Sequence, residues 1–353
     1  MGKLAVYKYF SLLFLIATFI VAGFTFFGLF GGNVNPVGNT ARAMLVYVLP
    51  LAIAANVLLL LYWIIRRRWL WMLIPLFTLL CCIPYSGTIY QFRSQNSDSN
   101  ARSGIKIATY NVAMFNRETT GFIASDILAS MKKQRVDILC MQEYNDISGD
   151  KKNSEMYNDY FTYMKIGRSD MVVYSRFPII ASDKISFGED TNNSAMWADI
   201  DINGTTVRVF NVHLETTGIN RTLHKAAKQE AIGIKVEDSR ILNAIYGNYA
   251  RGMVFRAAQA NIVANEIKSS ENPVVVCGDF NDVPYSYVYN TMLGDLIDGF
   301  KECGSGWMYT FRGGQKKVRI DYIFHDESMK GIDYYKQELN YSDHYPVFMK
   351  LEL

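Results

Sequence analysis

Arg319-Ile320-Asp321-Tyr322-Ile323 and Ser342-Asp343-His344-Tyr345-Pro346 close the chain, and upstream stand Asn211-Val212-His213-Leu214-Glu215 and Gly278-Asp279-Phe280-Asn281-Asp282. Each is a short apolar run that carries or ends in an acid, an amide or an imidazole. If these runs are strands of shared sheets, their ends can converge on one edge. The residue types gathered there are those that a metal-assisted attack on a phosphate ester needs.

Working outward, strand-like runs recur at Ile105 to Tyr110, Ile138 to Met141, Met171 to Tyr174, Ala195 to Ile202, Thr206 to Val212, Val274 to Cys277, Arg319 to Phe324 and Pro346 to Leu353. Several alternate and many are rich in β-branched residues, while a helical pattern at Phe122 to Arg135 falls between two of them. The mixture predicts an α/β sandwich. A longer helical region, Arg221 to Ser269, carries Arg221, Lys225, Lys228, Arg251 and Arg256 among apolar residues. It reads as an amphipathic covering layer, with a basic side facing lipid or an anionic substrate as the alternative. Polar residues cluster at strand ends: Asn111, Glu143, His213, then Asp279 with Asn281. Carboxylate and amide oxygens suit a hard divalent cation.

Any one of these residues alone is a turn, a cap or a satisfied polar group. Six boxes in one order carry more: Thr-Tyr-Asn at 109–111, Gln-Glu at 142–143, Asn-Val-His-Leu at 211–214, Gly-Asp-Phe-Asn at 278–281, Ile-Asp-Tyr-Ile at 320–323 and Ser-Asp-His-Tyr-Pro at 342–346. In these boxes residues 105–353 resemble the endonuclease/exonuclease/phosphatase superfamily, which includes pancreatic deoxyribonuclease, abasic-site endonucleases, neutral sphingomyelinases and inositol polyphosphate 5-phosphatases. The resemblance implies a four-layer α/β-sandwich catalytic domain that hydrolyses phosphate esters with Mg²⁺, Mn²⁺ being the alternative.

Carried over by position, the resemblance implies that Glu143 is the principal metal ligand, with Asn111 and Asp343 nearby as direct or water-mediated contacts. Asp279 and Asn281 would orient the attacking water and a phosphate oxygen. His344, held by Asp321, would act as an acid/base or a phosphate-binding imidazole, because a carboxylate on one ring nitrogen fixes the tautomer. His213 would serve the phosphoryl oxygens or the leaving group, and the choice between His344 and Asp279 as base stays open. Abasic-site endonucleases lack a His at the position of His213, whereas the deoxyribonuclease and sphingomyelinase branches have one. His224 and His325 fit no box, and Arg176, in a strand-turn pattern, reads as structural.

Charge divides the chain. The whole carries 36 Lys+Arg against 33 Asp+Glu, a net of +3, yet residues 1–92 contain Lys3, Lys8, Arg42, Arg66, Arg67 and Arg68 and no acid. The remaining residues therefore carry about −3, which denies them the overall basic character of a protein that coats nucleic acid. Within residues 1–92, Tyr9 to Phe30, Ala43 to Ile65 and Trp69 to Phe92 hold no charge and exceed the roughly 20 residues that cross a bilayer. They are expected to form three transmembrane helices. The first is too long for a signal peptide, and no A-x-A-like site follows it.

Lys3, Lys8 and the triple-Arg turn sit on the cytoplasmic side by the positive-inside tendency, so three spans place the rest outside the cytoplasm. Residues 93–104 read as a polar tether and 105–353 as the catalytic domain. Cys81 and Cys82 fall in the third span, Cys140 and Cys277 in strands and Cys303 in a loop-like stretch, a spacing with neither disulfide framework nor zinc site. The expectation is an integral protein of the plasma or inner membrane that acts on a phosphate ester, first as a phosphodiesterase or nuclease. Hydrolysis of a phospholipid or sphingomyelin head group and a non-catalytic membrane binding module are the alternatives. The sequence implies no protein partner.

Overall fold

The structure is a computed structural model, and it describes all residues except 1–2, 94–102, 114–123, 145–156, 168–170, 189–190, 192, 217–237 and 314–316. The tether at 93–104 and the basic residues Arg221, Lys225, Lys228 and His224 thus lie largely outside the described residues. The chain forms two compact units, Met1–Thr88 with Val283–Asn290, and Ile89–Asp282 with Thr291–Leu353.

The first unit is built on α1 (Lys3–Gly31), α2 (Leu49–Ile65) and α3 (Trp69–Cys81). Two helical stretches, Tyr7–Gly31 and Thr40–Ile65, are long and apolar enough to cross a membrane. The expected third span is shorter than its apolar run: α3 has 13 residues with Pro75 inside it, a break follows at Cys82, and a four-residue helix Ile83–Ser86 begins around Pro84. Two of the three expected spans are thus helices of membrane-crossing length, and the third run is helical over a shorter stretch. Proline removes a backbone donor and Gly87 ends the last turn, so a count of apolar residues overstates helix length here.

Polar rungs clamp α1 to α2. The Asn56 amide donates to Thr25 Oγ1 at 2.8 Å, Trp63 Nε1 to Thr18 Oγ1 at 2.9 Å, and Arg66 to Ser11 Oγ at 3.2 Å. Where the surroundings are as apolar as the side chains, such bonds fix which helices meet and at what height.

The strands of the second unit are β1 (Tyr90–Gln91), β2 (Ile105–Asn111), β3 (Ile138–Gln142), β4 (Tyr163–Ile166), β5 (Met171–Ser175), β6 (Ile179–Ile185), β7 (Ser194–Ile202), β8 (Thr205–His213), β9 (Val274–Asp279), β10 (Ile297–Asp298), β11 (Gly306–Trp307), β12 (Asp321–His325), β13 (Lys330–Lys336) and β14 (Val347–Glu352). Two six-stranded sheets result, ordered β13-β14-β2-β3-β5-β4 and β10-β12-β9-β8-β7-β6, while β1 pairs with β11. The apolar runs from Ile105 to Leu353 named above are all strands, to within two residues at either end. Tyr90 and Gln91 belong to this unit and not to a third span.

The sheets face each other. Ile107, Ile138, Cys140 and Val173 from one pack with Met196, Val209, Val275, Cys277 and Ile323 from the other in a single buried cluster. The alternate residues of the first sheet, Ala108, Tyr110, Leu139, Met141 and Tyr174, turn outward onto Ile127, Leu128 and Met131 of α4 (Ala124–Gln134). Burial on both faces explains why these strands are nearly continuous apolar runs. The second long helix of this unit, α5 (Asp238–Lys268), buries Met253, Ala257, Ala260 and Val263. Mixed α/β sandwich architecture is thus as expected. All five cysteines are free, and Cys303 ends a short helix, Gly299–Cys303, instead of lying in a loop.

Candidate active site

Strand register brings most of the site together. β8 runs parallel to β9 with His213 opposite Asp279, and β9 runs antiparallel to β12 with Asp279 opposite Asp321. On the other sheet, Asn111 at the end of β2 stands opposite Gln142, and Glu143 follows. His344 lies three residues before β14 of that sheet. Gly278 permits the close approach of β8 and β9: its φ is +141°, and a Cβ there would fall 1.9 Å from the Val212 carbonyl oxygen. Glu143, Asn281 and Ala113 also take positive φ, at +51°, +52° and +45°. Such backbone costs free energy for a residue with a side chain and gathers at functional sites.

The side chains form a continuous chain of contacts. Asn111 Nδ2 donates to Glu143 Oε1 at 3.1 Å and to Asp279 Oδ2 at 3.0 Å, while its Oδ1 accepts from the Ala113 N–H. His213 Nε2 stands 3.8 Å from Glu143 Oε1 and 3.9 Å from Asp279 Oδ2. His344 Nε2 faces Asp279 Oδ2 at 3.6 Å, and its Nδ1 lies 3.0 and 3.1 Å from the two oxygens of Asp321. The Asn281 N–H donates to Asp279 Oδ1 at 2.8 Å, and its side-chain amide donates to the Leu214 carbonyl. Seven of the eight residues named from sequence are thereby linked.

Asp343 is the eighth. It is exposed, and its carboxylate lies 3.5 Å from the Ser342 hydroxyl, while that hydroxyl donates to the Asn111 carbonyl. No described contact joins the Asp343 side chain to Asn111 or Glu143. A different group, Asp279, Asp321 and His344, brings its potential ligand atoms within 4.8 Å of one another, fully buried. Its carboxylates already face the His344 ring, whereas the Glu143 side chain is 34% exposed and open to water. A hard cation that keeps several waters fits an accessible carboxylate better than a sealed one. Glu143 with its oxygen-bearing neighbours therefore suits a divalent cation, Asn111 serving the two acids as donor in this arrangement.

Electrostatics separate the two central groups. Burial pushes the Asp279 carboxyl up, against the pull of the His344 and His213 imidazoles and the Asn111 amide, to about 6. Burial alone would lower the His344 imidazole, but the charges of Asp321 and Asp279 outweigh it and raise the ring to about 10. Near neutral pH, Asp279 is the group poised to accept a proton, and His344 stays a cation.

Several supporting residues were missed from the sequence. Gln142 Nε2 donates to Thr109 Oγ1 at 2.9 Å and across to Asn211 Oδ1 at 2.6 Å, and Asn211 Nδ2 donates to the Met141 and Val172 carbonyls. This buried link ties the two sheets directly beneath the site. The signal was present as two amides set in apolar strand runs. Arg256 of α5, one of the five cations on the region read as a covering layer, is fully buried, bonded to Asp282 and the Glu215 carbonyl. With Gln259, which accepts from the Glu215 N–H, it holds the loops after β8 and β9. Thr310 Oγ1 accepts from the N–H groups of Ile320 and Asp321, and the Phe311 ring lies 4.9 Å from that of His344. His325 pairs with Glu302 at 2.7 Å, and Arg176 with Asp137 at 2.9 Å; both are structural.

A family model described as the Endonuclease/Exonuclease/phosphatase family matches residues 108–344, and one described as a domain of unknown function matches residues 11–89. No curated protein matches. Among solved structures, the chain is similar to an endonuclease/exonuclease/phosphatase from Beutenbergia cavernae (18% identity, TM-score 0.53, 71% of this chain and 72% of that one). It is also similar to one from Bacteroides vulgatus (18%, 0.52, 71% and 100%) and to D. rerio TDP2 humanized by 14 mutations (15%, 0.52, 71% and 100%). At these identities the likeness concerns the fold.

Proposed function

Because the chain belongs to the endonuclease/exonuclease/phosphatase family, whose members hydrolyse phosphate esters, we propose that it is a membrane-anchored, divalent-metal-dependent phosphodiesterase of the nuclease type. The observation that carries this reading is the unbroken run of contacts from Glu143 through Asn111 and Asp279 to His344 and Asp321, with His213 facing both acids. None of these groups is lost, as a binding module without catalysis would permit.

Glu143 would hold Mg²⁺, or Mn²⁺, with Asn111 and Asp343 nearby; what the ion adds when bound is neutralisation of charge on a phosphoryl oxygen and on the departing alkoxide. Asp279 takes the proton of the attacking water. Asn281, fixed by the Leu214 carbonyl and the Asp279 side chain, orients that water and a non-bridging oxygen. His344, kept cationic by Asp321, donates from Nε2 to the phosphoryl group as negative charge builds. His213 hydrogen-bonds the oxygens on the leaving-group side.

A phospholipid or sphingomyelin head group is the second reading, favoured by the two apolar helices. Full-length protein in detergent, incubated with plasmid DNA, RNA, sphingomyelin and a bis-aryl phosphodiester beside a His344→Ala blank, separates the two. Cleavage of the nucleic acids and the diester, with sphingomyelin intact, is expected; hydrolysis of sphingomyelin alone would give the second reading, and no wild-type excess over the blank would overturn both.

The catalytic domain lies outside the cytoplasm in this proposal. Cys82 alone separates Trp69–Cys81 from Ile83–Ser86. At about 1.5 Å per residue, the 18 residues from 69 to 86 reach about 27 Å, close to the hydrocarbon thickness. A third crossing, with Lys3, Lys8 and Arg66 to Arg68 held in the cytoplasm, leads outward. Protease added to intact spheroplasts should then cut within the polar segment 93–104 and release the domain. Survival of the full chain until the membrane is permeabilised would reverse the orientation.

A further inference from the structure

Large aromatic side chains that stand in water need a reason, and in the second unit they collect beside its first residues. Trp307 is 65% exposed and Phe92 is 93% exposed. Tyr90 joins them: its ring centroid lies 5.5 Å from that of Trp307 and 4.9 Å from that of Phe92. The grouping is built by the backbone, because β1 and β11 pair with Tyr90 opposite Trp307 and Gln91 opposite Gly306, and the Met308 N–H donates to the Ile89 carbonyl. Residues more than 200 positions apart are thus brought into one small sheet, which presents its rings outward. Gly306 takes φ +65° to make the turn into β11.

We infer that this patch, Tyr90, Phe92 and Trp307 with Arg93 beside it, is a membrane-surface contact of the catalytic domain that lies at the head-group level of the same bilayer. The inference rests on the anchored reading above. Only Gly87, Thr88 and Ile89 separate the helix Ile83–Ser86 from Tyr90. At no more than about 3.5 Å per residue, that stretch keeps Tyr90 within roughly 14 Å of the helix end. Trp and Tyr have an apolar body and a polar tip, the chemistry that settles at the interface, and Arg93 supplies the cation that anionic lipid attracts. A loop that only tethered the domain would have no need for Trp307, which the fold brings in from far along the sequence.

The test uses the full chain reconstituted in phosphatidylcholine/phosphatidylglycerol vesicles. Subtracting the emission of Trp307→Phe from that of wild type isolates Trp307, since Trp63, Trp69, Trp71 and Trp197 are common to both. Blue-shifted Trp307 emission, quenched severalfold by lipid brominated high on the acyl chain and poorly by aqueous acrylamide, is the expected result. Red emission quenched by acrylamide and not by bromolipid would overturn it. Emission shielded from both quenchers would assign the patch to a second copy of the chain, which also overturns it. Chain that fails to float with the vesicles would remove the anchor itself, a failure distinct from the other two.

Discussion

Asp279→Asn is expected to lower turnover of a soluble phosphodiester by about 10²- to 10⁴-fold, the range for loss of a positioned acid or base. The amide keeps the shape and still accepts from the Asn281 N–H, but it has no basic oxygen to offer water. The pH profile sharpens the test. A base must be ionised to act, so wild-type rate should rise with pH through the ionisation of Asp279, at about 6 in the metal-free protein, and that rise should be missing from the residual activity of the variant. His344, held near 10, contributes no acid limb in this window because it is protonated throughout. Rates for Asp279→Asn that matched wild type in size and pH dependence would move the base elsewhere.

Chelation should abolish activity, and Mg²⁺ or Mn²⁺ should restore it. The residues proposed to hold the ion, Glu143 with Asn111 and Asp343 nearby, are two acids and an amide with no thiolate, a donor set matched to hard cations. A thermal shift supplies a readout independent of turnover: a cation that binds only the folded state raises the melting temperature as its concentration rises. Glu143→Gln should lose most of that shift while Asp321→Asn keeps it. Full turnover in EDTA would exclude the metal, and an undiminished shift in Glu143→Gln would place it at the buried Asp279, Asp321 and His344 group instead.

Legibility varied with how local the determinants were. Strands buried on both faces, such as Ile138–Gln142 and Val274–Asp279, announce themselves as apolar runs, and their ends carry the site residues. Edge strands do not: Tyr163–Ile166 and Ile179–Ile185 expose most of their side chains and mix Lys and Asp into the pattern, so neither composition nor alternation marked them. The third apolar run holds less continuous helix than its length suggests, because the break at Cys82, just before Pro84, and the cap at Gly87 decide where helix stops, whatever the hydropathy. Asn111, Glu143 and Asp279 could be assigned to one edge, but the role of Asn111 as donor to both acids depends on distances that no spacing encodes. Arg256 was legible only as a cation on a covering helix. Its burial depends on partners, the Glu215 carbonyl and Asp282, that arrive from two other loops.

The division of the site between the sheets has a consequence for inheritance and engineering. Asn111, Glu143 and His344 come from one sheet and its loops, and His213, Asp279 and Asp321 from the other, so the pair His344–Asp321 and the bond Asn111–Asp279 each span the seam. The reactive centre therefore acts as a gauge of how the two halves are aligned. One residue of slip moves a strand about 3.3 Å, as large as the contacts themselves. Mild denaturant or a methyl group lost from the shared core should silence hydrolysis while strand content still reads as intact. Fragments cut between the halves, if they reassemble, should recover activity only when the Gln142–Asn211 latch closes. Loops around the rim are free to drift and change substrate; the spacing of the seam is not.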